Sequence, residues 1–276
     1  MRLFKKVAII GTGLVGGSLA LAIKRKGLAG EIVGVSKHKS SITRAKKIGA
    51  IDNGSTGLSI IRGADLIVFA APVESIIKQA QVVCRLIGPE TIVTDVGSTK
   101  EKIVGKMEKL FPFFIGSHPL AGSQRRGIDN AQSDLFVDSL CILTPTKKTK
   151  NSALNKVSAL WRSIGVSTVH MSPSLHDKTL SLTSHLPHAL AFALIDSIPK
   201  SSFKFSSSGL KGTTRIAASS EELWADIFLS NRKNILSSIG SFEMCLRKIK
   251  STIKSNNRVR LLSILKKAKE KRLKLG

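Results

Sequence analysis

Tyrosine is missing altogether from this 276-residue chain, and aromatic residues make up only 5% of it. Few side chains are therefore available as stacking platforms for single-stranded nucleic acid, and no nucleic-acid recognition motif compensates. Acidic residues are scarce as well: 18 Asp and Glu against 44 Lys and Arg leave a formal charge of +26. Without a base-reading element, that charge is better explained as a positive field gathering an anionic substrate and cofactor. The three cysteines, Cys84, Cys141 and Cys245, stand far apart with no C-x-x-C spacing. This argues against a disulfide framework or a cysteine zinc site and fits a reducing cytoplasm. No apolar run attains the roughly 20 residues of a membrane span. MRLFKK followed by VAIIGTGLVGGSLALA imitates a secretory leader, but its glycines and its direct passage into KRKG suit a strand and a helix better. A soluble cytoplasmic protein with no cleaved leader, no membrane contact and no specific nucleic-acid partner is expected.

What is present is 42% hydrophobic residues, enough for proper cores. Short apolar runs at VAII (7–10), IVGV (32–35), LIVFAA (66–71), TIVTDV (91–96), FFIG (113–116) and LCILT (140–144) have the length and branching of buried strands. Between them, Leu14–Lys26, Ser40–Ile48, Val73–Ile87 and Thr99–Leu110 space their apolar residues as helices do. That alternation predicts a parallel sheet with helices on both faces. TPTKKTKN (144–151) breaks the pattern and is a candidate boundary, yet a helical 152–164 and an edge strand VSTVHM (166–171) move the border toward Pro173. From Ser174 the texture is helical, with amphipathic stretches at 186–195, 221–249 and 258–273. The expected fold is α/β: an N-terminal doubly wound parallel sheet over 1–172, then an all-helical domain over 173–276. The helical faces suit a homodimer, and the basic run KKAKEKRLK is read as a solvated helix face.

Gly11, Gly13 and Gly16 form G-x-G-x-x-G between the first strand and the first helix. In a Rossmann-type unit the first glycine makes the turn, the second admits the pyrophosphate and the third lets the helix close on the strand. The helix N-terminus then offers amide donors to phosphate. Thr12, Leu14 and Val15 belong to the same cofactor loop, and Ala71, Pro72 and Val73, after the LIVFAA strand, are assigned to the cofactor too. An NAD site usually places Asp or Glu at the end of the second strand, about 20 residues further on. Here VGVSKHKS puts Ser36 at that point, followed by Lys37, His38 and Lys39. Nothing there repels a 2′-phosphate and the lysines attract one, so NADP is expected in preference to NAD. His118, in IGSHPLAGS (115–123), stands on a Pro/Gly loop after an apolar run. Sheets of this kind present ligands at the carboxyl ends of their strands, and an imidazole is suited to accepting a proton there.

Taken together, GTGLVGGSLA (11–20), TDVGSTK (94–100), GSHPLAGS (116–123), SHLPHALA (184–191) and GTTRIAAS (212–219) resemble the prephenate and arogenate dehydrogenase family of tyrosine biosynthesis. The similarity runs in the right order over nearly the whole chain. It implies oxidative decarboxylation of a cyclohexadienyl dicarboxylate to 4-hydroxyphenylpyruvate or tyrosine, with hydride transfer to NAD or NADP. It further implies that His118 is the catalytic base and that Ser98 aligns the substrate hydroxyl. Arg215 would grip the ring carboxylate, and Ser123, Ser184, His185 and His188 would line the pocket.

The residues themselves leave some of this open. Ser98, Thr99 and Lys100 all compete to cap the helix that follows. A guanidinium at Arg215 suits a carboxylate because two parallel hydrogen bonds fix its orientation. His185 and His188 share a helical face, with Pro187 marking a first turn, but no third ligand accompanies them and no metal is expected. Gln124 and Gly212 are neutral where family members commonly carry acidic residues. Gln124, Arg125 and Arg126 favour prephenate, whereas an NADP-type loop often goes with arogenate. Because the chain ends soon after the helical part, no appended regulatory module is expected. Two other readings explain part of the sequence: another NADP-dependent hydroxyacid dehydrogenase of the same plan, and a non-catalytic nucleotide- or RNA-binding protein.

Overall fold

In the computed structural model, residues 2–121 and 127–275 are described. Eight strands form one sheet in the order β3-β2-β1-β4-β5-β6-β7-β8. They are β1 (Phe4–Ile10), β2 (Ala29–Val35), β3 (Asn53–Ser55), β4 (Leu66–Phe69), β5 (Ile92–Asp95), β6 (Phe114–Pro119), β7 (Leu140–Thr144) and β8 (Ser167–His170). All neighbours run parallel except β6 and β7, which pair antiparallel. β3 was not expected, because Asn-Gly-Ser carries no apolar run; it is held only by pairing with the end of β2.

Period-two alternation puts each strand's apolar residues on both faces, as burial beneath two helical layers requires. In β1, Val7 and Ile9 face a core with Leu19 and Ile23 of α1 (Leu14–Arg25), Ile42 and Ala45 of α2 (Lys39–Lys47), and Val157, Leu160 and Trp161 of α5 (Asn151–Ser163). Ala8 and Ile10 face the other core, with Ile76, Ala80 and Val83 of α3 (Val73–Cys84) and Ile103, Val104 and Met107 of α4 (Glu101–Met107). The segment 144–151 connects β7 to α5 inside this layered unit and is therefore a crossover loop of the sheet.

His118 departs from the expected loop position. It lies within β6, paired to Ile142 of the antiparallel β7. β5 supports β6 only at Phe114 and Ile115; β7 carries the strand on through Pro119 and so holds His118 in extended backbone.

The remainder is helical: α6 (Pro173–Leu180), a π-turn at Ser181–His185, α7 (Leu186–Asp196), α8 (Ser208–Thr214), a 3-10 turn at Arg215–Ala218, α9 (Glu221–Ser230), α10 (Arg232–Lys254) and α11 (Arg258–Leu273). Pro187, in the first turn of α7, has no N–H to give the carbonyl four residues before it, which accounts for the wide turn at 181–185. The continuous stretch expected over 221–249 is broken at Asn231, which separates α9 from α10. Among the described residues, no helix is long and apolar enough to cross a membrane.

Candidate active site

Because β1, β4, β5 and β6 are parallel, their carboxyl ends deliver the glycine loop, Ala71–Val73, Gly97–Ser98 and His118 to one edge of the sheet. The strand order turns at β1, which opens a crevice between the ends of β1 and β4. Gly11 has φ +108°, and a Cβ there would lie 2.1 Å from the Ala70 carbonyl oxygen. At Gly16 a Cβ would lie 2.0 Å from the Gly11 carbonyl oxygen, so turn and helix close only without side chains. Gly13, by contrast, has nothing within 4 Å of its Cβ position. Beside it the buried hydroxyl of Thr12 lacks a partner among the described residues. An open loop, a bare hydroxyl and a helix start without acidic residues fit the pyrophosphate of a pyridine dinucleotide.

At the end of β2, the Ser36 N–H donates to the Ser55 carbonyl (3.3 Å), while Lys37, His38 and Lys39 are exposed. The first turn of α2 contains no acidic residue. Those positions thus present cations and no carboxylate to the crevice edge.

His118 is the start of a hydrogen-bonded series that crosses into the helical region. Its Nδ1 lies 2.8 Å from Nε2 of His176, and His176 Nδ1 lies 2.7 Å from Oδ1 of Asp177. Asp177 also accepts the backbone N–H groups of Lys100 (Oδ1, 2.7 Å) and Glu101 (Oδ2, 3.0 Å). It therefore supplies the cap for α4 that Ser98, Thr99 and Lys100 were expected to compete for; the N-cap Lys100 makes no side-chain capping bond. Burial opposes ionisation of Asp177, but the bonds from His176, Glu101 and Lys100 outweigh it and hold its carboxyl below the usual range.

An ionised Asp177 can only accept, which fixes the tautomers along the series. His176 carries its proton on Nδ1 and accepts at Nε2; His118 donates from Nδ1 and keeps a bare Nε2. Burial, followed by the nearby charges of His176, Lys100 and His185, holds His118 well below the ordinary imidazole value of 6.5. The ring is a neutral proton acceptor, held in one orientation.

The other expected residues form a second group on the helices. His185 is buried and its pKa is pushed down to about 4, chiefly by burial. Its Nδ1 lies 3.1 Å from the Asn231 side-chain nitrogen, which also donates to the Asp177 carbonyl (2.7 Å). His188 stacks on Trp224 with ring centres 3.5 Å apart, and its Nδ1 meets the Ser184 carbonyl at 3.0 Å. The Arg215 charge acts on His188 and lowers its pKa further, after burial. Arg215 itself is exposed, at the start of the turn that follows α8. His185 and His188 thus form one cluster with Asn231 and Trp224 on the helices.

Comparison with known proteins shows the family. Residues 19–170 match the family model for the prephenate dehydrogenase nucleotide-binding domain, and residues 172–267 match that for the prephenate dehydrogenase dimerization domain. The chain belongs to the prephenate dehydrogenase family. It is 33% identical to prephenate dehydrogenase of Bacillus subtilis, over 96% of this chain and 75% of that one. It is also 33% identical to cyclohexadienyl dehydrogenase of Zymomonas mobilis, over 100% of this chain and 97% of the relative. The crystal structure of Aquifex aeolicus prephenate dehydrogenase, in complex with hydroxyphenyl propionate and NAD+, superposes with a TM-score of 0.94 at 35% identity, covering 99% of this chain and 98% of that one. Family membership makes the chain an oxidoreductase that uses a pyridine nucleotide, and lends no support to the two other readings.

Of the residues gathered here, His176, Asp177, Asn231 and Trp224 were not expected from the sequence. The adjacent His-Asp pair behind a Ser-Pro helix start was the available signal: Ser172 caps α6 through the Leu175 N–H (3.2 Å), so the pair sits in the helix's first turns. Ser123 and Gln124, with Arg125 and Arg126, lie outside the described residues. Gly212 lies on α8 with open space where a side chain would project, so its neutrality is not imposed by packing.

Proposed function

We propose that this chain oxidises and decarboxylates a cyclohexadienyl dicarboxylate, prephenate or arogenate, at the edge of the sheet where His118 stands. The observation that carries this reading is the Asp177–His176–His118 series, which leaves an unprotonated imidazole nitrogen on a strand whose carboxyl end shares a sheet edge with the glycine loop. When bound, the nicotinamide supplies the hydride acceptor. His118 takes the proton of the ring hydroxyl as its carbon loses hydride, so that a carbonyl forms; carbon dioxide then leaves from the quaternary carbon across the ring, its electron pair passing through a ring double bond to the carbonyl and leaving a phenol. Ser98, on the turn after β5, aligns that hydroxyl; Asp177 frees it from capping α4. Arg215 holds the carboxylate, and Ser184 and His188 border the pocket. His185 contributes mainly as a brace, because its ring is buried against Asn231 and Trp224.

For the cofactor we infer NADP in preference to NAD, held at its 2′-phosphate by Lys37 and Lys39 around Ser36. Gly11, Thr12, Gly13, Leu14, Val15 and Gly16 would hold the pyrophosphate, with Ala71, Pro72 and Val73 on the opposite bank. Reduced-cofactor absorbance, followed with prephenate, arogenate and simple hydroxyacids, tests both statements. One carbon dioxide should be released per reduced cofactor with a cyclohexadienyl substrate. kcat/KM should be higher with NADP, and Lys37→Glu should reverse that preference. An active enzyme that prefers NAD removes the cofactor assignment alone; turnover of hydroxyacids only removes the reaction.

The assembly we propose is a homodimer through the helical domain over 173–276, with the sheet domain over 1–172 standing outside it. An apolar groove lined by Ala189, Phe192, Phe228 and Ile239 supports this, as do the exposed Leu229 and Leu236. Sedimentation at micromolar concentration should give the mass of a dimer, and a monomer there would contradict it.

A further inference from the structure

β5 and β6 part where the site opens. Their pairing stops at Thr94 and Ile115, and among the described residues no strand pairs with residues 116–119 on that flank. His118 stands in this forked stretch. Inside the fork, side chains supply the bonds that a ladder would otherwise make, because buried backbone groups need partners. The Ser117 N–H donates to Asp95 Oδ1 (3.3 Å). The other oxygen of that carboxylate accepts the N–H of Gly97 (2.8 Å), next to Ser98, and pairs with the buried Lys100 ammonium. The Ser117 hydroxyl lies 2.8 Å from that of Thr94, whose Oγ1 lies 2.8 Å from the Ile115 carbonyl oxygen. From α5, Trp161 Nε1 reaches the Ser117 hydroxyl at a longer 3.4 Å. An indole N–H only donates and a carbonyl only accepts, so each proton has one direction: Trp161 to Ser117, Ser117 to Thr94, Thr94 to Ile115. Thr94, Asp95, Ser117 and Trp161 are all fully buried.

We propose that Ser117 is a positioning residue for the reaction: held through its N–H and its hydroxyl where β6 leaves β5, it fixes the forked strand and with it the approach of His118 to the hydroxyl aligned by Ser98. This rests on the reading of His118 as the base. Successive side chains of a strand point to opposite faces. Ser117 therefore turns toward Trp161 of α5 while His118 turns toward His176 of α6, as their bonds show. Filling the α5 face needs no hydroxyl, since an apolar side chain would serve packing equally well. Directed bonds do what packing does not: they set where the strand lies relative to β5. The Asp95 carboxylate extends the same bracket to the Ser98 turn, so both flanks of the fork are referred to one group.

The test is steady-state kinetics of the full-length enzyme, expressed per cofactor-binding site so that unfolded chains do not count. Ser117→Ala removes the hydroxyl, and Thr94→Val keeps the shape of Thr94 but takes away the acceptor of the Ser117 proton. Each should lower kcat roughly 10- to 100-fold, the scale of a base displaced by a fraction of an ångström to an ångström, with little change in KM. Thr94→Ser retains the acceptor and should stay close to wild type. Should Thr94→Val not melt cooperatively, Ser117→Ala, which adds no bulk, carries the same test. The deciding measurement is Ser117→Ala in the His118→Asn background, where the strand has no base left to position. There it should cost nothing further, since both variants remove one unit. Full activity in Ser117→Ala, an equal loss in both backgrounds, or Thr94→Ser as impaired as Thr94→Val would overturn the proposal. A nearly active His118→Asn would remove the base assignment and the bracket's role together; an inactive His118→Asn with additive losses removes the bracket alone.

Discussion

Replacing His118 by Asn is expected to lower kcat by roughly 10³-fold with little change in KM, as the loss of a general base does. Asn fills a similar volume and can still donate to His176, so the loss reports the missing acceptor at Nε2 and not a collapsed strand. Asp177→Asn probes the same series from its other end. An amide there can donate, which permits His176 to turn its proton toward His118 and removes the constraint that bares Nε2. Its loss should approach that of His118→Asn, on the order of 10²- to 10⁴-fold, because a wrong tautomer disables the base as removal does. The double variant should be little worse than His118→Asn alone, since both remove one unit. The pH profile follows the same logic. Burial and neighbouring charges depress His118 below 6.5; only the neutral ring accepts, so activity persists on the acid side of that value and falls when His118 at last protonates. An acid limb centred at or above 6.5 would contradict the assignment.

Arg215→Met is expected to raise KM by roughly 100-fold, equivalent to about 3 kcal/mol, the scale of a lost charge-paired, hydrogen-bonded carboxylate. Lys in its place should recover only part, because an ammonium cannot make the paired bonds that orient a planar carboxylate. The divergence of the two variants is informative: His118→Asn acts on kcat and Arg215→Met chiefly on KM, as a base and a clamp differ. Unchanged affinity in Arg215→Met would remove the clamp and leave the base assignment intact.

Much of the fold was legible because it is written in local patterns. LCILT became β7 without change, and Arg258–Leu273 became α11 over the expected span. Gly11 and Gly16 stand where their backbone contacts exclude any side chain, and such glycines are visible in sequence by spacing alone. What could not be read is tertiary. Nothing local to FFIGSHP says that an antiparallel neighbour will hold the strand through His118, or that β3 will form from Asn-Gly-Ser. The imidazole series joins His118 to a helix 58 residues later, and PSLHDKTL has the appearance of an ordinary helix start. Lys100 was read as a competitor for a cap, because a lysine behind Gly-Ser-Thr gives no sign that its charge will be buried. The break at Asn231 escaped the periodicity for a similar reason: its side chain serves Asp177 and His185 rather than the helix it interrupts.

The most direct test is a crystal structure of the ternary complex with oxidised cofactor and a hydroxyphenyl carboxylate. It should place His118 Nε2 within about 3 Å of the ring oxygen, with the Arg215 guanidinium on the carboxylate and the nicotinamide facing the ring. A ligand ordered elsewhere, or one reached by His118 but not by Arg215 in the closed protein, would contradict a shared cavity for base, clamp and cofactor.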